Sequence, residues 1–308
     1  MSAVNASTCA RGALALSFAS TLACVAPTAH AQGGPPPLSS VSVAGIARLN
    51  ADLDGGGDFS ANGVVVKGSF GRAFGQQFTA ALSLSYSYED WNFGTPNAFG
   101  KAAPWTTLNV PTIGANFNYR YSDQLALFVS PQVGWNYESG ASTDNSMSYG
   151  AAFGAIYNYS PTLTLGVGAA AFRQVNRTNI FPFVIVNWQI TDKLTLSNPL
   201  EAGPTGGPGV ELSYAFNDQW EAGVGVAFRD IRFRLKDDGP QPNGIGEDKG
   251  IPLFAHVEYT PAKGFKLDFY AGAILDGRLK VLDSNGSTVT SSDYGTQPVL
   301  GVRASYAF

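Results

Sequence analysis

The chain has 308 residues, only 14% of them charged, with 36 glycines and a mean hydropathy near zero. That charge content is far below the roughly 25% of an ordinary soluble domain, yet beyond the N-terminus no window approaches the ~20 apolar residues of a spanning helix. A formal net charge of −4 argues against a basic nucleic-acid-binding surface. Such averages fit a membrane β-barrel, in which lipid-facing and lumen-facing residues alternate.

Residues 1–31 read as a cleaved signal peptide. Arg11 supplies the positive region, "GALALSFASTLACVA" the apolar region, and "AHA" before Gln32 the small-residue cleavage site. The rival is a lipoprotein signal ending at Cys24, although "TLAC" places Thr21 where such signals usually carry Leu. Cys9 and Cys24 both fall inside this segment, so the mature chain has no disulfide framework or thiol metal site. No cofactor is implied. Residues 32–37, with "GGPPP", read as a linker, and 38–308 as one barrel.

From residue 41 the chain alternates with period 2, which puts successive side chains on opposite faces of a strand. The alternation breaks into fourteen runs. In order, their apolar faces include Val43, Val66, Leu84, Phe117, Val129, Phe153, Leu165, Val184, the short "KLTLSNPL" run, Leu212, Val224, Val257, Phe269 and Val302. One phrase recurs between them. "YRYSDQLALFV", "YNYSPTLTLGVGAAAF", "NWQITDKLTL" and "SYAFNDQWEAGVGVAF" each end a strand on aromatics, then turn on Ser, Thr, Asn, Asp or Pro, then resume alternation. These residues favour tight turns because they bond local backbone or preset φ, so each phrase reads as a hairpin.

Tight turns near 74–76, 122–124, 160–162, 191–193, 217–219 and 261–264 alternate with longer loops near 51–61, 92–104, 139–147, 174–179, 200–208, 237–249 and 284–292. That asymmetry matches the periplasmic and extracellular ends of an outer-membrane barrel. Strand-end aromatics, among them Tyr86, Trp91, Tyr119, Tyr121, Trp135, Tyr157, Tyr159 and Trp188, suit the headgroup level. The longer loops look too short to fold into a plug.

The ending "VLGVRASYAF" resembles the C-terminal signature of outer-membrane barrels, with Phe308, Tyr306, Ala304, Val302 and Leu300 in the alternating places. The resemblance implies export to the outer membrane of a Gram-negative cell, contact with its lipid and lipopolysaccharide, and recognition of Tyr306 and Phe308 by the barrel-assembly machinery. More broadly, 38–308 resembles an uncharacterised family of bacterial outer-membrane barrels with a domain of unknown function. The carrying segments are "LSNPLEAGPTGGPGVELSYAFNDQWEAGVGVAFRDIRFRL", "LDFYAGAILDGRLKVLDSNG" and "DYGTQPVLGVRASYAF". No activity comes with that resemblance.

The opposite faces give candidate lumen charges. Arg48, Lys67, Arg120, Arg229, Lys266, Arg278, Lys280 and Arg303 are basic; Glu89, Glu138, Glu211, Glu221, Glu258, Asp268 and Asp276 are acidic. They fit either a selective constriction or a web of ion pairs stiffening the wall. The near-balance of signs predicts no strong ion selectivity. His256 shares the lumen face with Glu258, which places it poorly for interfacial lipid chemistry. Asp52, Asp54 and Asp58 in "DLDGGGD" could offer oxygen ligands to Ca²⁺, but no Glu follows at EF-hand spacing, and a solvated extracellular loop is the better reading. Asp237, Asp238, Glu247 and Asp248 could meet the divalent cations that bridge lipopolysaccharide.

Near Arg229 and Asp230 the faces of one run switch. A bulge or an extracellular extension is expected there, with Arg232, Arg234 and Lys236 near anionic headgroups. The leading functional expectation is a monomeric, porin-like channel for small solutes without enzymatic activity. The alternatives are a closed structural or surface-binding barrel and, more remotely, an interfacial lipid enzyme. The lumen face reads as Gly, Ser, Asn and charge, which disfavours a hydrophobic solute.

Overall fold

A computed structural model describes residues 39–199 and 201–308; the expected signal peptide and linker lie outside the described residues. The described residues form one antiparallel sheet that closes on itself. Its first half comprises β1 (Ser40–Asp52), β2 (Asp58–Phe74), β3 (Phe78–Phe93), β4 (Thr107–Arg120), β5 (Leu125–Trp135), β6 (Met147–Ser160), β7 (Leu163–Gln174) and β8 (Arg177–Gln189). The second half comprises β9 (Leu194–Ser197), β10 (Gly209–Ala215), β11 (Trp220–Ala227), β12 (Arg229–Arg234), β13 (Ile245–Ala262), β14 (Phe265–Leu282), β15 (Thr288–Tyr294) and β16 (Gln297–Ala307).

β13 pairs with both β11 and β12, and β14 with both β15 and β16. Each couple is therefore one interrupted wall strand, and the barrel has 14 strands. β16 closes onto β1, with Val43 opposite Ala304. Closure satisfies the backbone groups that an open edge would leave bare in lipid.

The recurring turns work as their residues dictate. The Ser122 Oγ accepts from the Leu125 N–H at 3.0 Å, the Thr191 Oγ1 from the Leu194 N–H at 3.1 Å, and the Asn217 Oδ1 from the Trp220 N–H at 3.0 Å. In each hairpin a side chain thus satisfies the first donor of the returning strand. Outward positions carry an exposed apolar belt that includes Val43, Val66, Leu84, Phe153, Val167 and Leu300. At the short-turn end the belt finishes in aromatics: Tyr121, Tyr159, Trp188 and Phe216 are exposed, and Trp220 stacks on Tyr259 at 4.4 Å. Phe308 is exposed there too, with Tyr306 stacked on it. Water cannot stabilise such a surface, but an acyl phase with a headgroup layer can.

The fold departs from the sequence expectation in three places. Positions 58–61, 177–179, 245–249 and 288–292 belong to strands rather than loops. Their polar composition reflects ladders that continue beyond the apolar belt, as where Glu247 faces Lys280 across β13 and β14. Trp91 is buried inside the barrel, because it shares the inward parity of Glu89. The parity switch at Arg229 is a real interruption of the strand after Ala227, but the segment beyond it turns inward rather than outward.

Candidate functional site

The long-loop end of the barrel is closed by its own wall. After the interruption at Phe228, β12 stays paired with β13 but leans over the lumen. Its end makes a parallel bridge with Tyr137, beyond β5 on the far side of the barrel. The Arg234 N–H donates to the Asn136 carbonyl at 2.9 Å, the Glu138 N–H to the Arg234 carbonyl at 2.8 Å, and the Asn136 Nδ2 to the Arg232 carbonyl at 3.0 Å. Glu138 fastens the junction, accepting from the Thr106 and Lys236 backbones at 2.9 and 3.1 Å. It is a strut in the closure, not a lining charge.

Aromatics pack around the crossing. Trp105, fully buried, lies edge-on to Trp91, Phe93 and Phe233 at 5.5, 5.4 and 5.2 Å. The mouth is closed not by a loop folded into a plug but by a wall hairpin.

Below the aromatics sits a buried ionic knot. The Asp248 Oδ2 accepts from the Arg48 Nη1 at 2.9 Å and from the Arg229 Nε at 2.6 Å. The Arg229 Nη2 donates to both Glu89 oxygens at 2.9 Å, and the Tyr294 hydroxyl donates to the Asp248 Oδ1 at 3.1 Å. Two cations and two carboxylates thereby tie β1, β3 and the crossing strand together. Arg48 also lies 4.6 Å from the Trp91 ring centroid.

A second element enters from the side. The loop between β9 and β10 folds into the lumen, where Glu201 bonds Lys67 of β2. The Ala202 N–H donates to the Gly207 carbonyl at 2.7 Å and closes the loop on itself. Gly203 has φ +64, and a Cβ there would lie 2.6 Å from the Phe254 ring, so a side chain at this turn is excluded twice. Pro204 sits where a Cβ on Gly301 would come within 2.8 Å of it, so the small residue in β16 admits the loop.

Between the loop, the crossing strand and the β1–β4 wall lies a cavity of about 150 Å³. Its walls are mixed: Val65, Leu108 and Val110 beside Lys67, Glu201 and Arg303. Three polar atoms of residues around it, the Glu201 Oε1, the Thr205 Oγ1 and the Asn136 Oδ1, are packed away from it and have no hydrogen-bond partner among the described residues.

Toward the short-turn end, His256 faces the lumen as its parity requires. It stacks on Tyr270 at 5.5 Å, with its Nε2 3.3 Å from the Glu211 Oε1 and its Nδ1 3.8 Å from the Asp268 Oδ1. Asp268 also accepts from the Arg303 Nε at 3.0 Å. Lys266 bonds Glu258 at 2.7 Å, with Glu221 opposite Glu258 in the register. Arg120 is exposed at the rim. Exposure of inward-facing residues thus rises from the long-loop end to the short-turn end.

Several expected lining charges lie elsewhere. Asp276 has φ +49 in a bulge that shifts the β13–β14 register. The extra residue reverses parity, so Arg278 points outward and bonds Asp293, 2.9 Å between Nη2 and Oδ2, while Lys280 follows it outward. Arg232 and Arg234 are buried rather than near headgroups; their Nε atoms donate to the carbonyls of Val175 and Asn145. Glu247 and Asp248 are buried and paired with arginine, so they cannot serve a surface cation bridge. Asp58 accepts from the Asn50 Nδ2 at 3.0 Å within its turn. The lumen is also more apolar than its sequence suggests. Phe128, Ile156 and Ile185 form one inward cluster and Phe172, Phe181 and Phe183 adjoin it. Alternating glycines in β7 hide this, because they leave room that rings from neighbouring strands fill: a Cβ on Gly168 would lie 2.5 Å from Phe183.

Residues 78–251 match a family model described as a domain of unknown function, DUF6268. Among solved structures, the chain is similar to an outer membrane channel from Pseudomonas putida F1, with 8% identity and a TM-score of 0.49 over 90% of this chain and 97% of that one. It is similar to the Pseudomonas putida toluene transporter TodX, with 10% identity and a TM-score of 0.42 over 96% of each chain. A Pseudomonas aeruginosa FadL homologue gives 13% identity and a TM-score of 0.43 over 89% of this chain and 90% of that one. Curated protein sequences returned no match.

Proposed function

We propose a function for this chain, which belongs to the DUF6268 family: it is an outer-membrane channel that passes small solutes one at a time through an occluded lumen. The cavity of about 150 Å³ behind the crossing strand carries this reading. A barrel built only as a wall has no use for a solute-sized space lined by both apolar and charged side chains, and a wide-open porin would not narrow to it. The long-loop end faces the cell exterior, by the usual asymmetry of such barrels. The crossing strand then shuts the outer mouth, and the Lys67–Glu201 pair holds the inner side of the cavity. Passage needs both contacts to open. The buried ionic knot favours the second reading, a permanently closed barrel acting through its surface. An enzymatic role is disfavoured because His256 lies in the lumen, away from the lipid face where a lipid substrate would arrive. Phe308 and Tyr306, exposed at the last turn, supply the assembly signal.

The test is single-channel conductance of the refolded mature protein in a planar bilayer, with a heat-modifiable gel shift confirming the barrel. Brief openings in the wild type, lengthened by Glu201→Gln, support the channel. Silence from both folded proteins overturns it in favour of the closed barrel.

A further inference from the structure

One stretch of the wall's backbone has no partner among the described residues. β8 meets β9 only where Asn187 faces Ser197, Trp188 faces Leu196 and Gln189 faces Thr195. Asn198 carries the ladder slightly further. Its N–H donates to the Val186 carbonyl, its Nδ2 donates to the Val184 carbonyl at 2.8 Å, and its Oδ1 accepts from the Val186 N–H at 2.6 Å. Val184 and Val186 therefore point their backbone groups away from β7. That direction alternates along an antiparallel strand, so Pro182, Ile180 and Thr178 point the same way. No described residue bonds them on that side. Proline fits such an edge, because it lacks the N–H that a neighbouring strand would need. Ile180 is 76% exposed, against 52%, 46% and 44% for Val43, Val66 and Leu84, which have a strand on each side.

The missing neighbours have gone inward. The loop after β9 folds into the lumen toward Lys67, Phe254 and Gly301, and the chain beyond Phe228 leans over the lumen as β12. What remains is a window framed by the β8 edge, by the exposed Phe228 and, at its outer end, by Arg177, which reaches across to Asp230 and Glu247 at 3.0 and 3.1 Å. The outward Ile180 and Val184 place it in the apolar belt. Unpaired backbone persists at that depth only where it is buried in protein or lines a wet cavity, so this edge borders the lumen. Just inside, Phe181 and Phe183 adjoin the apolar patch of Phe128, Ile156 and Ile185. We infer that the window is a lateral port through which a small amphiphile, an apolar body ending in one hydroxyl, passes between the lumen and the outer leaflet. The body suits Phe181 and Phe183, and the hydroxyl can donate to the bare carbonyls and accept from the Thr178 and Ile180 N–H groups. A partner strand suits the edge less, since Pro182 withholds a donor and Arg177 bounds the stretch. The port rests on the channel reading, to which it adds a route and a solute class.

The experiment is photo-crosslinking of the refolded mature barrel in lipid vesicles, with the gel shift confirming its fold. The probe is a medium-chain alcohol carrying a mid-chain diazirine, and labelled residues are read by peptide mass spectrometry. The same diazirine on an alkane and on phosphatidylcholine are the comparators. The alcohol should label the lumen-facing Phe128, Ile156 and Phe183 as well as the belt. The alkane should label the lumen more weakly, and phosphatidylcholine the belt alone. Cys9 and Cys24 both precede the barrel, so Ile180→Cys creates a single thiol. A bulky maleimide attached there after folding should abolish the lumen label and spare the belt label, whereas the same adduct on Val43→Cys should change neither. Arg177→Ala, which frees the outer frame, should increase the lumen label. No lumen label in the folded wild type, or lumen label that survives the adduct on Ile180→Cys, overturns the port. Equal lumen labelling by the alkane overturns the solute class. Disulfide-linked dimers of Ile180→Cys would give the edge to a second copy and overturn the port as well. Conductance is read separately. A barrel that conducts without lumen label keeps the channel and loses the port, whereas lumen label without conductance keeps the port and loses the channel.

Discussion

Replacing Asp248 by asparagine tests how the outer mouth is held. In the wild type Arg48 and Arg229 face Glu89 and Asp248, so the buried knot is neutral. Asp248 is fully buried and its Oδ2 takes two guanidinium donors. The substituted amide would keep an oxygen but leave one uncompensated positive charge, and stranding a buried ion costs about 3–5 kcal/mol. That cost falls on the closed arrangement and is relieved when the crossing strand swings toward water. At about 1.4 kcal/mol per decade, the open-to-closed ratio should rise between roughly 10²- and 10⁴-fold. The assay is single-channel open probability at neutral pH, on protein whose gel shift shows a folded barrel. Adding Arg48→Met restores neutrality and should return most of the closed population. Unchanged open probability in folded Asp248→Asn protein would refute the claim that the knot holds the mouth shut.

Other perturbations reach different parts of the molecule. Leu84→Arg, on the exposed belt of β3, should destabilise the barrel by about 2–4 kcal/mol if it sits near the bilayer midplane, lowering the temperature of the gel shift. Gly203→Val should expel the inserted loop, since the turn is left-handed and Phe254 occupies the space, and should raise conductance without unfolding the wall. Arg278 hydrogen bonds hold the Asp293 carboxylate below its usual range, in an extension outside the apolar belt. Its stabilisation is complete above the unfolded value near pH 4 and is lost as pH falls through the lower folded value. Because the pair is exposed it is worth under about 1 kcal/mol. The difference in gel-shift midpoint between wild type and Asp293→Asn should therefore be small at neutral pH and vanish under strong acid. Removal of Phe308 should reduce barrel yield in the outer membrane while leaving refolding in detergent intact.

Alternation, turn residues and strand-end aromatics determined the wall. Val43, Val66 and Leu84 face outward because a period of 2 allows nothing else once one face meets lipid. Ser122, Thr191 and Asn217 fix the short turns through local bonds, which depend only on neighbours in the chain. His256, Glu211, Asp268 and Arg303 could be assigned to the lumen by parity for the same reason. Parity fails at a single inserted residue, and so Asp276 and Arg278 left the lumen. The closure was invisible in the sequence, because it depends on contacts between segments far apart. Glu138 meets Lys236, Arg229 meets Glu89 across 140 positions, and Glu201 meets Lys67 across 134. A strand's period says which side a residue faces, but not what waits on the other side of the barrel. Only the tertiary structure, by bending one hairpin across the mouth and one loop into the lumen, turned a list of inward charges into a cavity behind a closed mouth.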